Sequence, residues 1–552
     1  MSTLRILFSF IILSMLFACQ DERELKVIQE KERMEFLRQE IKDNFYSESA
    51  KFSTSDTSKL PSLISNLHSD SMLIWSEGKV FNKSALDLIS ITKNAILHGL
   101  DSNFYPVKEL SDLYFKSSAD TSNVEVLARG EFLFSKTALE FFTHLRYGVL
   151  NHEKKDSLYF QFKIDSLSEH DLKEIKNGIE KENLKETIKI LEPGFVAYKD
   201  LQNAWSNYVS NQEFTEDRVR VKSLKEDSTD AYKRAKRALL LYQYIDSSDA
   251  EVDSVWIEKL MDFQENHGLK RDARIGRGTA YALSRSNEDR LLSVIASLEK
   301  LKWEKFEDDS LLYVNIPSYE LKIIENNKIA DRYRVVVGKT INRTPTFSAD
   351  MKYLILNPFW HIPRSISSKE ILPRLKKDSN HTKKKGYRIY DRNRKPVDAS
   401  KIDWSKVTQN SFNYRISQTR SGGTALGKVK FIFTNKYSIY FHDTPSKRLF
   451  KNDIRAYSHG CVRVKDPLNL AAYLLSRQDP ALTIDSVKNF VKTRRQKRHD
   501  LKYPLRVSIR YFSCEGSEDG KIIFFRDIYK KETELKQTFK RIFTQNLDKT
   551  NQ

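Results

Sequence analysis

Cysteine, glycine loops and long apolar runs are all scarce in this chain, and each scarcity removes a class of protein. Three cysteines, Cys19, Cys461 and Cys514, among 552 residues are too few for a disulfide framework. The 17 glycines nowhere form a loop that would cradle a phosphate, and the 11 histidines and three cysteines nowhere take zinc-ligand spacing, so neither a nucleotide nor a metal is expected as cofactor. No internal apolar run approaches the length of a membrane span. With 30% charged and 39% hydrophobic residues, the bulk of the chain reads as globular, long enough for two to four domains.

What is abundant is positive charge. Lys and Arg total 94 against 74 acidic residues, a formal charge of +20. That excess suits any polyanionic partner, including nucleic acid, cell-wall polymer or a lipid surface. The two densest basic runs, "KKKGYRIYDRNRK" and "KTRRQKRHDLK", belong to no recognised nucleic-acid module, so no nucleic-acid partner is expected. Solvated loops or contacts with anionic wall explain them better.

The N-terminus sets the compartment. Arg5 precedes an apolar stretch, Ile6 to Ala18, that is too short to span a bilayer and ends in "LFAC" at Cys19. The pattern is similar to a bacterial lipoprotein signal over residues 1–18, with Cys19 as the lipidated residue. It predicts a periplasmic protein held at a membrane. Phe17 is bulky for a position just inside such a cleavage point, which leaves an ordinary signal peptide or an uncleaved anchor as alternatives. Once Cys19 is consumed, Cys461 and Cys514 are free thiols in an oxidising compartment, and a free exported cysteine invites a chemical explanation.

Residues 19–60 are a charged tether followed by the Ser/Thr-rich linker "YSESAKFSTSDTSKLPS". Apolar residues then recur at helical spacing over 61–240, as in "TALEFFTHLRYGVL". His98 and His144 sit within those patterns and read as core or cap residues rather than ligands. Residues 241–300 form a compact helical unit. From about 312 the period changes to two: "YVNIPSYELKIIENNKIADRYRVVVGK" predicts three strands with a turn at Asn326-Asn327 and an end at Gly338. Further strands are expected in "MKYLILNPFW", "GKVKFIFTNKYSIYFH" and "PLRVSIRYFS". The fold class is therefore α+β and multidomain, with a β-rich domain over 305–530 and a tail at 531–552. A polar insertion at about 366–420 is too long for a structureless connection and reads as a lid or subdomain.

The chemistry concentrates in "IYFHDTPSKRLFKNDIRAYSHGCVRV", residues 439–464. His442 ends a strand, and Cys461 follows a short loop and a Ser458-His459-Gly460 turn. A loop of that size closes at modest entropic cost, so imidazole and sulfur can meet. The thiolate is the reactive form of cysteine, and a neighbouring imidazole stabilises it. Gly460 permits a close turn in which backbone N–H groups face a developing oxyanion. Asp466-Pro467 reads as the cap and first residue of a bracing helix. Cys514 has no histidine near it in sequence and reads as packed.

This stretch resembles the active-site signature of YkuD-type L,D-transpeptidases. "VNIPSYELKIIENNK", "VVVGK", "TPTF", "LNPFWHIPRSIS", "TALGKVKF" and "RDIY" also resemble that family, in its large YcbB-like subtype. Residues 241–300 resemble a peptidoglycan-binding-like domain through Phe263-Gln264, His267-Gly268-Leu269, Ile275-Gly276 and Thr279. There Asp272-Ala273-Arg274 replaces the usual Asp-Gly. The resemblance implies Cys461 as nucleophile, His442 as base, His459 and Gly460 around the oxyanion, and the Asp443 carbonyl orienting the imidazole. It implies stem-peptide contacts through Ser458 and Arg463, although Arg463 equally suits a structural salt bridge. Trp360 and Tyr387 either wall the site or belong to core.

The implied reaction is 3→3 cross-linking of peptidoglycan tetrapeptide stems through a thioester, with no metal. L,D-carboxypeptidase or hydrolase activity at the same site is the alternative, and a wall-binding lipoprotein without catalysis is a third reading.

Overall fold

The computed structural model describes residues 60–68, 73–119, 123–151, 159–160, 167–209, 214–304, 306, 308–418 and 424–550, with isolated residues 35, 36, 39 and 43. Cys19, the signal and nearly all of the tether lie outside that set. Two compact units emerge. One takes the described residues of 1–211, 294–305 and 534–552, and the other those of 212–293 and 306–533.

The first unit is helical. Its central helix, Val124–Tyr147, is buried from Leu127 to Leu145 on nearly every side, which explains why its sequence lacks a clean polar face. His144 on this helix is buried, 3.1 Å from the Tyr105 hydroxyl, and His98 Nδ1 lies 2.7 Å from Glu192 Oε1. Both are packing residues, as their helical spacing suggested. The expected tail is a helix, Thr533–Thr550.

In the second unit, one apolar core runs from Val221 to Leu283. The helix Ala231–Leu241, grouped by periodicity with the segment before it, packs in this core against the helices Asp253–Glu265 and Arg277–Leu283. Phe263 is fully buried there. Gln264 clamps the following turn: its Oε1 accepts from the N–H groups of Asp272 and Ala273, and its Nε2 donates to the Arg274 carbonyl and Thr279 Oγ1. Ala273, in place of glycine, adopts φ 55°.

The β-rich part is built on strands β1 (Ser310–Asn315), β2 (Glu320–Glu325), β3 (Lys328–Gly338) and β4 (Phe347–Leu356). Asn326 and Asn327 both have positive φ, the requirement of the tight hairpin turn whose twist matches its strands. Four short strands follow: β5 (Trp360–Ile362), β6 (Tyr387–Tyr390), β7 (Pro396–Val397) and β8 (Arg415–Gln418). The chain then returns through β9 (Val429–Phe433), β10 (Phe441–His442), β11 (Ala456–Ser458), β12 (Val462–Val464) and β13 (Lys497–Arg510). The main sheet runs β11-β3-β12-β10-β9-β4-β13-β1-β2 and closes on itself because β2 also pairs with β3. Leu505, Val507, Ile509 and Tyr511 point into its core, as their alternation requires.

The insertion is a subdomain with its own sheet, ordered β7-β6-β8-β5, and its own core of Ile362, Ile371, Leu372, Leu375, Ile389, Trp404, Phe412 and Ile416. It begins at Trp360 rather than 366, because β5 pairs with the returning strand β8. A second difference concerns Asp466. Pro467 opens the helix Pro467–Ser476 as expected, but Asp466 has φ 49° and its side chain caps nothing.

Candidate active site

Strand register builds the site. Lys430 on β9 pairs with His442 on β10, and His442 with Arg463 on β12, so three cationic or titratable side chains form one row across three strands. Period two puts Phe441 and Val462 into the core and turns Tyr440 and Cys461, two residues before His442 and Arg463, onto the same face as that row. Cys461 is half-buried and its Sγ lies 3.9 Å from the Ser438 carbonyl. The Tyr440 backbone N–H and phenol hydroxyl both address the sulfur, and the Lys430 ammonium sits 3.8 Å from the centre of the Tyr440 ring.

His442 is buried, and its Nδ1 lies 2.5 Å from the Asp443 carbonyl oxygen. A carbonyl only accepts, so Nδ1 carries the hydrogen and Nε2 keeps its lone pair as the basic nitrogen. Asp443 is itself fixed: its carboxylate accepts from the N–H groups of Lys428 and Thr444 and pairs with Lys447. Burial, reinforced by Arg463 and Lys430, pushes the imidazolium of His442 down to about 3. Burial also raises the Cys461 thiol, against the opposing pull of the Tyr440 N–H, Lys430, the Tyr440 hydroxyl and Arg463. Imidazole and thiol therefore rest neutral at neutral pH.

The cysteine turn is held by residues far apart in sequence. Gly460 adopts φ 114°, and a Cβ there would lie 3.1 Å from Ile439. Its carbonyl accepts from Thr344 Oγ1 at 2.7 Å, and Thr344 Oγ1 accepts from the Gly338 N–H at 2.9 Å. The Tyr529 hydroxyl donates to the Gly338 carbonyl at 2.5 Å and accepts from the Thr344 N–H. At Gly338 a Cβ would fall 2.1 Å from the Asn342 carbonyl oxygen, so only glycine fits. The segments "VVVGK", "TPTF" and "RDIY" thus converge on this turn. Ser458 Oγ donates to the Cys461 carbonyl at 2.5 Å and accepts from the Gly460 N–H at 3.1 Å. The Gly460 N–H is thereby already engaged within the turn.

The other expected residues divide. His459 is exposed and its Nε2 meets Glu370 Oε1 of the insertion, on the π-helical turn Ser367–Ile371. Trp360 packs on the insertion core and its indole reaches the Tyr440 hydroxyl, linking that core to the sulfur. Tyr387 packs on the same core, and burial, opposed by Arg374 and aided by Glu370, raises its phenol. Arg463 is half-buried with no carboxylate partner among the described residues, which leaves the salt-bridge reading without a partner. Lys430 is likewise unpaired with any acid. Cys514 is fully buried, its thiol 3.4 Å from the Ser293 carbonyl.

Lys430, Tyr440 and Glu370 were not singled out from sequence. Tyr440 could have been, since alternation puts it on the face of His442. Lys430 needs the pairing of β9 with β10, and Glu370 the docking of the insertion.

Two family models and one curated relative match this chain. Residues 309–488 match the YkuD family, described as the L,D-transpeptidase catalytic domain, and residues 68–204 match the Scaffold domain family. The Scaffold match precedes the YkuD match along the chain. A curated protein of Haemophilus influenzae named "Putative L,D-transpeptidase" is 34% identical over 221 residues, 40% of this chain. The aligned stretch spans 44% of that relative's length.

Proposed function

We propose that this chain, with its YkuD-type catalytic domain behind a Scaffold domain, is an L,D-transpeptidase that cross-links peptidoglycan through Cys461. The observation that carries this reading is the grouping of Cys461 with the Nδ1-pinned His442 and with two cations, Lys430 and Arg463, that no carboxylate among the described residues neutralises. A nucleophile beside a fixed base and unspent positive charge suits an acyl donor that brings its own carboxylates.

The reaction follows from these groups. Sγ attacks the carbonyl of the third residue of a tetrapeptide stem, and its proton passes to Nε2 of His442. An S–C bond forms while the carbonyl oxygen takes up negative charge. With the Gly460 N–H engaged by Ser458, the Cys461 N–H is the oxyanion donor nearest the nucleophile. Collapse breaks the C–N bond to the terminal D-alanine, whose amine leaves with the proton from His442. The amine of a second stem then attacks the thioester, His442 takes its proton, and the S–C bond breaks as that proton returns to the departing sulfur. Because imidazole and thiol rest neutral, His442 acts as a general base during attack rather than as half of a preformed ion pair.

Mass analysis of products from purified tetrapeptide-bearing wall fragments tests this directly. A dimer joined between third residues is expected. Tripeptide without dimer would make the enzyme an L,D-carboxypeptidase, with water in place of the second amine. No product would reject catalysis.

Export and lipidation at Cys19 belong to the same proposal, supported by the Ile6 to Ala18 run that ends in "LFAC". Cys19→Ala should release the protein from membranes; a wild-type protein without a lipid mass would reject it.

A further inference from the structure

The insertion has a cavity of about 810 Å³ that is lined by none of the residues around the sulfur. It opens on the sheet face opposite the subdomain core. Register fixes this: Ile362, Ile416 and Ile389 pair in a row that points into the core, so His361 and Ser417, which pair with each other, and Arg415, which pairs with Tyr390, turn outward. Three guanidinium groups, of Arg364, Arg394 and Arg415, line the cavity together with Tyr390, and no carboxylate does. Arg364 is held in place by the carbonyls of Phe412 and Asn410, at 3.3 and 3.1 Å. Arg394 and Arg415 have no side-chain partner among the described residues. Such an arrangement attracts a multiply anionic ligand that also has apolar or sugar surface to lay on the Tyr390 ring.

We infer that this cavity binds the carboxylate-bearing stem of a second peptidoglycan strand, the one that supplies the acceptor amine; the inference rests on the transpeptidase reading. Placement favours it. Trp360, at the start of β5, touches Tyr440 beside Cys461, and the cavity lining begins at the next residue, His361. A bulk polyphosphate would also be drawn to three arginines. The Tyr390 ring, beside three arginines drawn from three separate segments of the chain, favours a peptide with separated carboxylates.

The test uses the full chain and the double variant Arg394→Gln, Arg415→Gln. Carbapenem acylation of Cys461 reports the nucleophile alone and should stay within about twofold. The concentration of acceptor muropeptide at half-maximal cross-linking should rise about tenfold or more, the loss expected for two charge-assisted contacts. Titration of disaccharide-tetrapeptide into the Cys461→Ala protein, with and without the double substitution, should show the same weakening. Equal binding by the two proteins would overturn the inference, as would weakened polyphosphate binding with muropeptide binding unchanged. Absence of cross-linking by the wild-type protein would instead refute the catalytic reading, while arginine-dependent titration would still uphold the cavity as a stem site.

Discussion

His459 Nε2 and Glu370 Oε1 stand 2.5 Å apart, and this contact joins the turn that carries Cys461 to the inserted subdomain. Both side chains are substantially exposed, at 33% and 43%, so the pair adds at most ~1 kcal/mol to stability. Its value lies in position. Glu370→Ala should leave the melting temperature almost unchanged yet lower turnover on wall fragments several-fold, because the insertion loses its tie to the Cys461 turn. Turnover equal to wild type would show that the insertion does not act through this contact.

The two free cysteines should behave oppositely. Cys461 is half-buried among polar groups, whereas Cys514 is sealed against the Ser293 carbonyl. Cys461→Ala should abolish cross-linking and carbapenem acylation without unfolding the protein. Cys514→Ala should keep both activities and lower stability by about 1 kcal/mol through the lost sulfur contacts. A carbapenem adduct mapped by mass spectrometry to Cys514 would sink the assignment.

Much of this was legible in the sequence because the signals were local. The Asn326-Asn327 hairpin, the alternation in β13 and the Pro467 helix start each depend on a few neighbouring residues. That His442 and Cys461 come onto one face of the sheet could be argued from loop length and alternation. What was not legible depends on chain contacts at long range. Lys430 reaches the site only because β9 pairs with β10, and the insertion begins at Trp360 only because β8 returns to pair with β5. The Gly460 N–H looked available for an oxyanion until the Ser458 hydroxyl took it.

The neutral rest state of His442 and Cys461 predicts a pH profile for the proposed chemistry. His442 stays neutral down to about 3, so the base remains competent throughout the mildly acidic range. Acylation by a carbapenem should therefore show no acidic limb between about pH 4.5 and 7, the interval in which an ordinary histidine would titrate. Lys430→Met removes a charge that opposes the rise of the Cys461 thiol, and should slow acylation about tenfold without changing the fold. A limb near 6.5 in wild type would mean that the imidazole is solvated in the working enzyme.

Ala273 offers a stability test of the small helical unit. It holds φ 55°, where a Cβ costs roughly 1–2 kcal/mol, partly offset by the extra chain entropy of glycine in the unfolded state. Ala273→Gly should stabilise by about 0.5–1 kcal/mol in urea unfolding. Destabilisation would mean that the methyl group packs well enough to outweigh the backbone strain.

Glu131 gives the clearest pH signature in the first unit. It is fully buried on the central helix, where its carboxylate accepts from the N–H groups of Ile74 and Trp75 and from the Ser76 hydroxyl. Burial outweighs those bonds and raises it to about 7 from an ordinary 4.5. The folded state thus binds this proton more tightly than the unfolded state, and stability falls as pH rises from 4.5 through 7. His144 on the same helix works in the other sense. Burial, with Lys302 and Lys136 adding to it, lowers His144 to about 3, so its contribution falls as pH drops below 6.5. The two slopes oppose each other between 4.5 and 6.5, and above 6.5 only the Glu131 slope remains. Glu131→Gln keeps an acceptor for the two N–H groups and removes the charge. The variant should match wild type near pH 4.5 and exceed it by on the order of 3 kcal/mol at pH 8, the free-energy equivalent of the shift. Urea titrations of both proteins across that range measure the difference, and stability curves that run parallel from pH 4.5 to 8 would show that Glu131 is ionised in the folded protein throughout.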